Sequence, residues 1–580
     1  MRSCAESLIA TALPAVFCVS IPPLTVRFGQ PRKSSPPLSG HGSLLACKFQ
    51  PLKSLLIAVR RLLRRIIGIV AIVFWHGRAF AGAEPADVTL DYVAQRAEQR
   101  AQKPFHSPRA DLPDILRADK LDYDKYREIR FRHDQALWAA EKLPFSVEFF
   151  HPGYLYEEPV HVNEFSANYV QSIRFNQDYF DYGKLTIKNQ IPIHTGYAGF
   201  RVLYALNQSD KLDELGAFLG ASYFRLLGKG QRYGASARGL ALDCGEPDRP
   251  EEFPIFTDWW LGKPQAGANS LHLFAILDSV SCTGAYEFEI YPGDSTRAEI
   301  NAVLYFRQTN LVQQVDPRRK PLDIVGWAPL TSMFWFGENS ERKFDDYRPE
   351  VHDSDGLLMQ MDSGENLWAP LDNPPVMRHQ EFGAPNVRGF GLLQRDRNFN
   401  SYQDLFNFYH LVPSIWVERR GNWGEGDVHL VELSTVYEGL DNIVAFWEPK
   451  VKPGPMQPSR FSYVLHWTKE TDRLSPNRVV ATRAGVDPRN AGQRQFAIDF
   501  SGPKLASLPD GVTPEVDASC TANGAITDAQ AFQLPTNGVW RAMIKMQPKP
   551  GNLDPVNLRC ALKRGDEVLT ETWTYLWSPR

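Results

Sequence analysis

The sequence predicts an all-β protein, a large β-sandwich followed by a small immunoglobulin-like β-sandwich. Three observations carry that prediction. From Leu143 onward, short alternating apolar/polar segments broken by Gly, Pro and Asn recur over roughly 300 residues. Extended helical periodicity is confined to the region before them. Residues 448–459 hold four prolines, and a new set of alternating segments follows. At 580 residues the chain is too long for one ordinary domain, and its 43% hydrophobic content is that of a packed globular protein.

The first 81 residues read as a leader. Arg60, Arg61, Arg64 and Arg65 precede the apolar run 66–75, and Ala79-Phe80-Ala81 follows. This is the charged region, apolar region and A-x-A site of a secretory signal, with a run far short of the ~20 residues a membrane span needs. A retained N-terminal anchor is the rival reading. Residues 1–50 read either as an unusual extension or as sequence upstream of a mis-assigned start codon. No polar residue precedes the paired arginines, which favours the general secretory route over twin-arginine export.

Residues 84–448 form the expected large domain. Residues 83–134 are charged and helical in texture, with Val93, Ala97 and Ala101 in register. Strands are expected at 146–150, 285–291, 428–433 and 442–447, and intruding helices at 211–219 and 402–409. Residues 449–459 are the expected linker and 460–580 the small domain. In the latter, Phe461, Tyr463, Leu465 and Trp467 alternate, as do Phe496, Ile498 and Phe500.

Removing the leader leaves 53 basic and 66 acidic side chains, a net of −13 with no basic stripe, which argues against a nucleic-acid partner. It also leaves Cys244, Cys282, Cys520 and Cys560. Sequence proximity in an oxidising compartment favours Cys244–Cys282 and Cys520–Cys560. Buried free thiols are an equal alternative for the first pair.

The most informative stretch is 347–357, Y-R-P-E-V-H-D-S-D-G-L, which gathers Arg348, Glu350, His352, Asp353 and Asp355. A second carboxylate, Asp441, opens an apolar run that ends at Trp447. Two separated carboxylates amid aromatics point to acid/base chemistry on a sugar. The cluster 353–356 has only half the oxygen spacing of a calcium loop, and no partner spacing makes His352 a zinc ligand, so neither metal nor cofactor is expected. Gly228-Lys229-Gly230 lacks the rest of a phosphate loop and reads as a turn. Among the tryptophans (259, 260, 335, 368, 423 and 447), Trp335 and Trp423 are the preferred exposed sugar platforms. Arg348 and Arg395 either meet sugar hydroxyls or hold carboxylates ionised, and a structural ion pair is the reading for Arg395.

Five stretches, G-A-S-Y-F-R-L-L-G-K-G-Q-R-Y-G-A-S-A-R-G-L-A (220–241), A-P-L-T-S-M-F (328–334), 347–357, R-G-F-G-L-L-Q-R-D-R (388–397) and L-D-N-I-V-A-F-W (440–447), resemble the periplasmic glucan biosynthesis family of proteins G and D. The resemblance runs from about Phe145 to the C-terminus. It implies a galactose-mutarotase-like sandwich and an immunoglobulin-like domain in the periplasm, acting on linear β-1,2-glucan. Relatives invert the anomeric centre while hydrolysing the chain, or transfer and cyclise it. The resemblance assigns the general acid to Asp441, the general base to Asp353 and a proton relay to Tyr409. Trp335, Arg348, Asp355, Trp423 and Trp447 complete the expected substrate-binding set. Where some hydrolytic relatives carry a hydroxyl residue two positions before the acid, this chain has Gly439, which leaves transfer open. A non-catalytic glucan-binding module or chaperone, guiding polymer from a membrane glucan synthase, is the alternative. The oligomeric state stays open.

Overall fold

The computed structural model describes residues 88–341, 343–471, 474–535 and 538–579. The expected leader lies outside them, and no helix among the described residues is long and apolar enough to cross a membrane. The described chain is mostly β-strand, as expected.

Two large sheets pack face to face. The ten-stranded sheet runs from Phe145–Phe150 at one edge through Val325–Ser332 and Ile443–Pro449 to Arg378–Gly383 at the other. The fifteen-stranded sheet opposes it. Phe200, Phe218 and Phe224 of the first sheet meet Trp259 and Phe288 of the second edge-on, while Trp327 stacks on Phe461 at 4.4 Å. Offset and edge-on ring contacts of this kind add specificity to the apolar burial that drives the layers together.

Several expectations change. Helical periodicity in 83–134 yields one long helix, Leu90–Ala101, capped by the Thr89 hydroxyl accepting from Tyr92 N–H, and beyond it only single turns such as Tyr123–Tyr126. Pro104, Pro108 and Pro113 then deny the backbone donors a longer helix needs. Val93, Ala97 and Ala101 bury this helix against Trp260, Phe274 and Val303. Lys211–Leu219 is a strand instead of a helix, hairpinned on Gly199–Gln208 with Phe200 opposite Phe218. Cross-strand packing there overrides local propensity. The expected helix at 402–409 shrinks to Phe399–Tyr402, ended by Gln403 at φ 52°, with a single 3₁₀ turn at Tyr409–Leu411. The glycine pair around Lys229 forms the expected turn, closed by Gln231 N–H donating to Gly228 C=O.

The proline-rich stretch joins the two sheets of the sandwich. The strand after it, Ser459–Thr468, pairs with Thr296–Phe306 and Ser414–Arg420, so Phe461, Tyr463, Leu465 and Trp467 belong to the large core. A second core gathers Val479, Phe496, Ile498, Phe500 and Trp573 against Leu358, Trp368, Leu393 and Trp416 of the large sheet. The two cores share a sheet, because Thr572–Trp577 runs parallel beside Asn366–Pro370.

All four described cysteines are free thiols, against the expected pairings. Cys520 and Cys560 sit on neighbouring strands, but the register sets Cys520 opposite Leu558 and Cys560 opposite Ala518. That diagonal offset separates side chains beyond the ~3.8 Å Cβ–Cβ spacing of a disulfide.

Candidate active site

Val325–Ser332 and Ile443–Pro449 are adjacent strands, with Ser332 opposite Ile443. The loop leaving the first carries Asp353, and the turn entering the second carries Asp441. Asn442 ties them together: its Oδ1 accepts from Phe334 N–H at 2.8 Å, and its Nδ2 donates to Phe334 C=O and Leu433 C=O. Asp353 N–H donates to Met333 C=O, and its neighbour Ser354 is bonded to Ser332 at 2.9 Å. Carboxylates 88 positions apart in sequence are thereby fixed in one basin.

Arg225, which sequence reasoning quoted in a motif but gave no role, stands between them. Its guanidinium lies 3.5 Å from Asp441 Oδ2. Burial raises the Asp441 carboxyl above its ordinary range, and Arg225 pulls the other way. Asp353 is pushed up to about 7, first by burial and then by the negative charge of Asp441, with Arg225 and His352 opposing. Two carboxyls that disfavour each other's ionisation around one cation can hold a single proton between them. Gly234 makes room for this arrangement: a β-carbon there would stand 2.1 Å from Val412 Cγ1 and 3.2 Å from Asp353 Cγ.

Tyr409 packs in an apolar cluster with Met333, Phe336, Val351 and Val412. Its hydroxyl donates to Glu438 at 2.7 Å and accepts from Asn407 Nδ2. Burial, then the charges of Asp353 and Glu438, hold its phenol strongly protonated. Glu438, three positions before Asp441, was missed from sequence; its only signal was that proximity.

The expected binding residues separate into distinct places. Arg348 is 7% exposed, and its guanidinium is bonded to Asp346, Asp404 and Glu438. It braces the acceptor of Tyr409 and does not lie open to a sugar. Trp423 and Trp447 contact each other and Trp327 inside the sandwich, with their indole N–H groups on Ser462 C=O and Ala384 C=O. They are core residues: strand alternation turns Trp447 inward, and Trp423, in the loop between Ser414–Arg420 and Gly426–Glu432, packs onto it. Trp259, Trp260 and Trp368 are likewise buried. Trp335 is half-buried beside Phe344, 5.9 Å from Arg348, and its indole N–H has no partner among the described residues.

Exposed aromatic surface comes from residues the sequence reading passed over. Tyr347 is 72% exposed, Phe406 84% and Tyr437 45%. They belong to this site through their neighbours, since Asp404, Arg348 and Glu438 form one bonded network. A β-carbon on Gly439 would stand 2.3 Å from the Tyr437 ring, so that ring occupies the space a hydroxyl residue would need.

Asp355 turns away into a second cavity lined by Glu338, Glu350, His352, Arg395 and Asp396. It accepts from the Arg395 and Asp396 backbone N–H groups. Arg395 pairs with Glu571, not with Asp396, and lies 3.5 Å over the Trp368 ring. Burial works against a charged His352, but Glu350, Asp355 and Asp396 together raise its pKa. Asp396 is raised to about 7 by burial and by Glu350 and Asp355, against His352 and Arg483. A carboxyl raised from its unfolded ~3.9 keeps a proton on folding, so its stabilising contribution is present below that value and lost as pH climbs through 7. We therefore expect the thermal midpoint to fall between pH 5 and pH 8. Asp396→Asn is expected to raise the midpoint at pH 8 and leave it little changed at pH 4. An equal effect at both pH values would reject the assignment.

Residues 89–577 match the family model described as "Periplasmic glucan biosynthesis protein, MdoG". The chain is 43% identical over 499 residues to Glucans biosynthesis protein G of Ralstonia nicotianae, covering 84% of this chain and 96% of that one. It is 39% identical to the Serratia proteamaculans protein of the same name and 40% to that of Dickeya dadantii, each alignment covering 84% of this chain and 92% of the relative.

Proposed function

This chain belongs to the MdoG family of periplasmic glucan biosynthesis proteins, and from that premise we propose that it acts in the periplasm on linear β-1,2-glucan, cutting or transferring it with inversion of the anomeric centre. The observation that supports this most is the shared basin of Asp353 and Asp441, held around Arg225 beside Tyr409. Breaking an acetal needs an acid for the departing oxygen and a base for the incoming nucleophile. Asp441 serves as the acid and Asp353 as the base. Tyr409 passes the nucleophile's proton onward, with Glu438 and Arg348 holding its hydroxyl. Tyr347, Phe406 and Tyr437 offer rings for the C–H faces of the sugars, with Trp335 beside them.

The test is incubation of the purified protein with linear β-1,2-glucan, followed by mass spectrometry. Hydrolysis adds one water to each product, whereas ring closure yields a glucan lacking that water. Tyr437 fills the space beside Gly439, and the expected products include transferred or cyclic glucan. Exclusively water-added products would end the transfer reading. No product with binding retained would instead favour a glucan-binding module or chaperone serving the membrane synthase.

The pH profile separates the two carboxyls. Asp353, at about 7 in the free protein, must be ionised to act as a base. We expect kcat/KM to rise with pH through that region, because this ratio reports the free enzyme's groups. A fall over the same interval would exchange the roles of the two aspartates.

A further inference from the structure

Arg378–Gly383 is the terminal strand of the ten-stranded sheet, paired only with Gly426–Glu432 among the described strands. Such an edge exposes unpaired backbone and needs protection. On the face turned away from the main sandwich core, Glu381 sits directly opposite His429, and His379 lies two residues before Glu381 on the same strand. One ligand atom from each of the three side chains falls within 4.8 Å of the others. We propose that His379, Glu381 and His429 form a binding site for a divalent transition metal of the zinc class, which clamps this edge strand to its neighbour.

The orientation of both imidazoles supports the proposal. His379 Nε2 and His429 Nδ1 face each other at 2.8 Å. On its far side His379 hydrogen-bonds the Gly245 backbone. His429 Nε2 lies 3.4 Å from Glu448 Oε2, and the other oxygen of Glu448 is fixed by Val325 N–H at 3.0 Å. Imidazoles whose outer nitrogens face a carbonyl or carboxylate can turn a lone pair inward, the arrangement that orients metal-binding histidines, and His429 Nε2 faces Glu448 in this way without a formed hydrogen bond. At 2.8 Å the two ring nitrogens share a hydrogen bond, and a bound metal would take the place of that proton.

A metal suits this place better than a shared proton. Two imidazoles and a carboxylate make a zinc-type ligand set, with a fourth position open to water on the exposed Glu381 side. Zn–N bonds of ~2.0–2.1 Å at tetrahedral angles place two nitrogens about 3.3 Å apart, which small ring rotations supply. Gly245 is what lets the second loop approach: at φ 83°, a β-carbon there would stand 2.6 Å from Val431 and 3.2 Å from His379 Nδ1. None of the groups that act on Asp353 or Asp441 belongs to this cluster.

The test is calorimetric titration of chelator-treated full-length protein with zinc ion alone, alongside thermal melts. We expect one zinc per chain and a midpoint that rises and saturates with zinc. Glu381 is exposed, so Glu381→Gln keeps the fold and should bind ~10–100-fold more weakly. His379→Gln should abolish both the binding and the thermal shift. Equal zinc affinity in wild type and both variants would overturn the site. So would a wild type that takes up no stoichiometric zinc, which would leave the two imidazoles sharing a proton.

Discussion

Asp441→Asn is expected to lower glucan turnover by ~10²–10⁴-fold, the range that a lost general acid commands, while glucan binding persists. The amide fills the carboxyl's volume but cannot hand a proton to the departing sugar oxygen. The change also removes the group whose deprotonation ends acid catalysis at high pH, so the falling limb of kcat/KM should vanish while the rising limb set by Asp353 stays. That second readout distinguishes a catalytic carboxyl from a merely structural one, which would alter amplitude without removing the falling limb. Near-normal turnover in this variant would remove Asp441 from the chemistry. Asp353→Asn should lose activity to a similar extent, and Tyr409→Phe should slow it.

Arg395→Ala is expected to destabilise the fold by ~3–5 kcal/mol, as removal of one member of a buried ion pair does. Arg395 and Glu571 are almost wholly buried, at 5% and 0% side-chain exposure, and are joined by two hydrogen bonds. The same guanidinium donates to Val479 C=O, and Glu571 accepts from Val479 N–H. Glu571 directly precedes Thr572–Trp577, the strand through which the two cores share a sheet. Without Arg395 the Glu571 carboxylate is left charged and largely uncompensated in a dry environment. Urea unfolding should show the loss, and the double variant Arg395→Ala/Glu571→Gln should recover part of it, because the stranded charge is gone. A single variant within ~1 kcal/mol of wild type would mean that the pair carries little of the junction.

The all-β architecture was legible in the sequence because side-chain alternation is a local property of a strand, readable wherever one face is buried. The proposed catalytic pair could be flagged from its residues, but its separate roles came only through the resemblance of its motifs. The residues alone offered two carboxylates 88 positions apart. What surrounds them was not legible. Arg225 enters from a strand on the same sheet, Glu438, braced by Arg348, anchors Tyr409, and Gly234 contributes by having no side chain.

Trp423 and Trp447 show the opposite failure. Trp423, near glycines, looks exposed in a linear reading, yet both it and Trp447 are buried in the main core. Lys211–Leu219 has helix-compatible residues but becomes a strand, because its partner Gly199–Gln208 supplies a ladder that no local window contains. His379 and His429 stand 50 positions apart without motif spacing and meet only because their strands are neighbours. The sequence by itself determined which segments alternate and where the chemistry-bearing residues lie along the chain. Tertiary structure decided which of them meet, which are dry and which carry a proton, because burial and electrostatic coupling depend on distances in space that sequence separation does not encode.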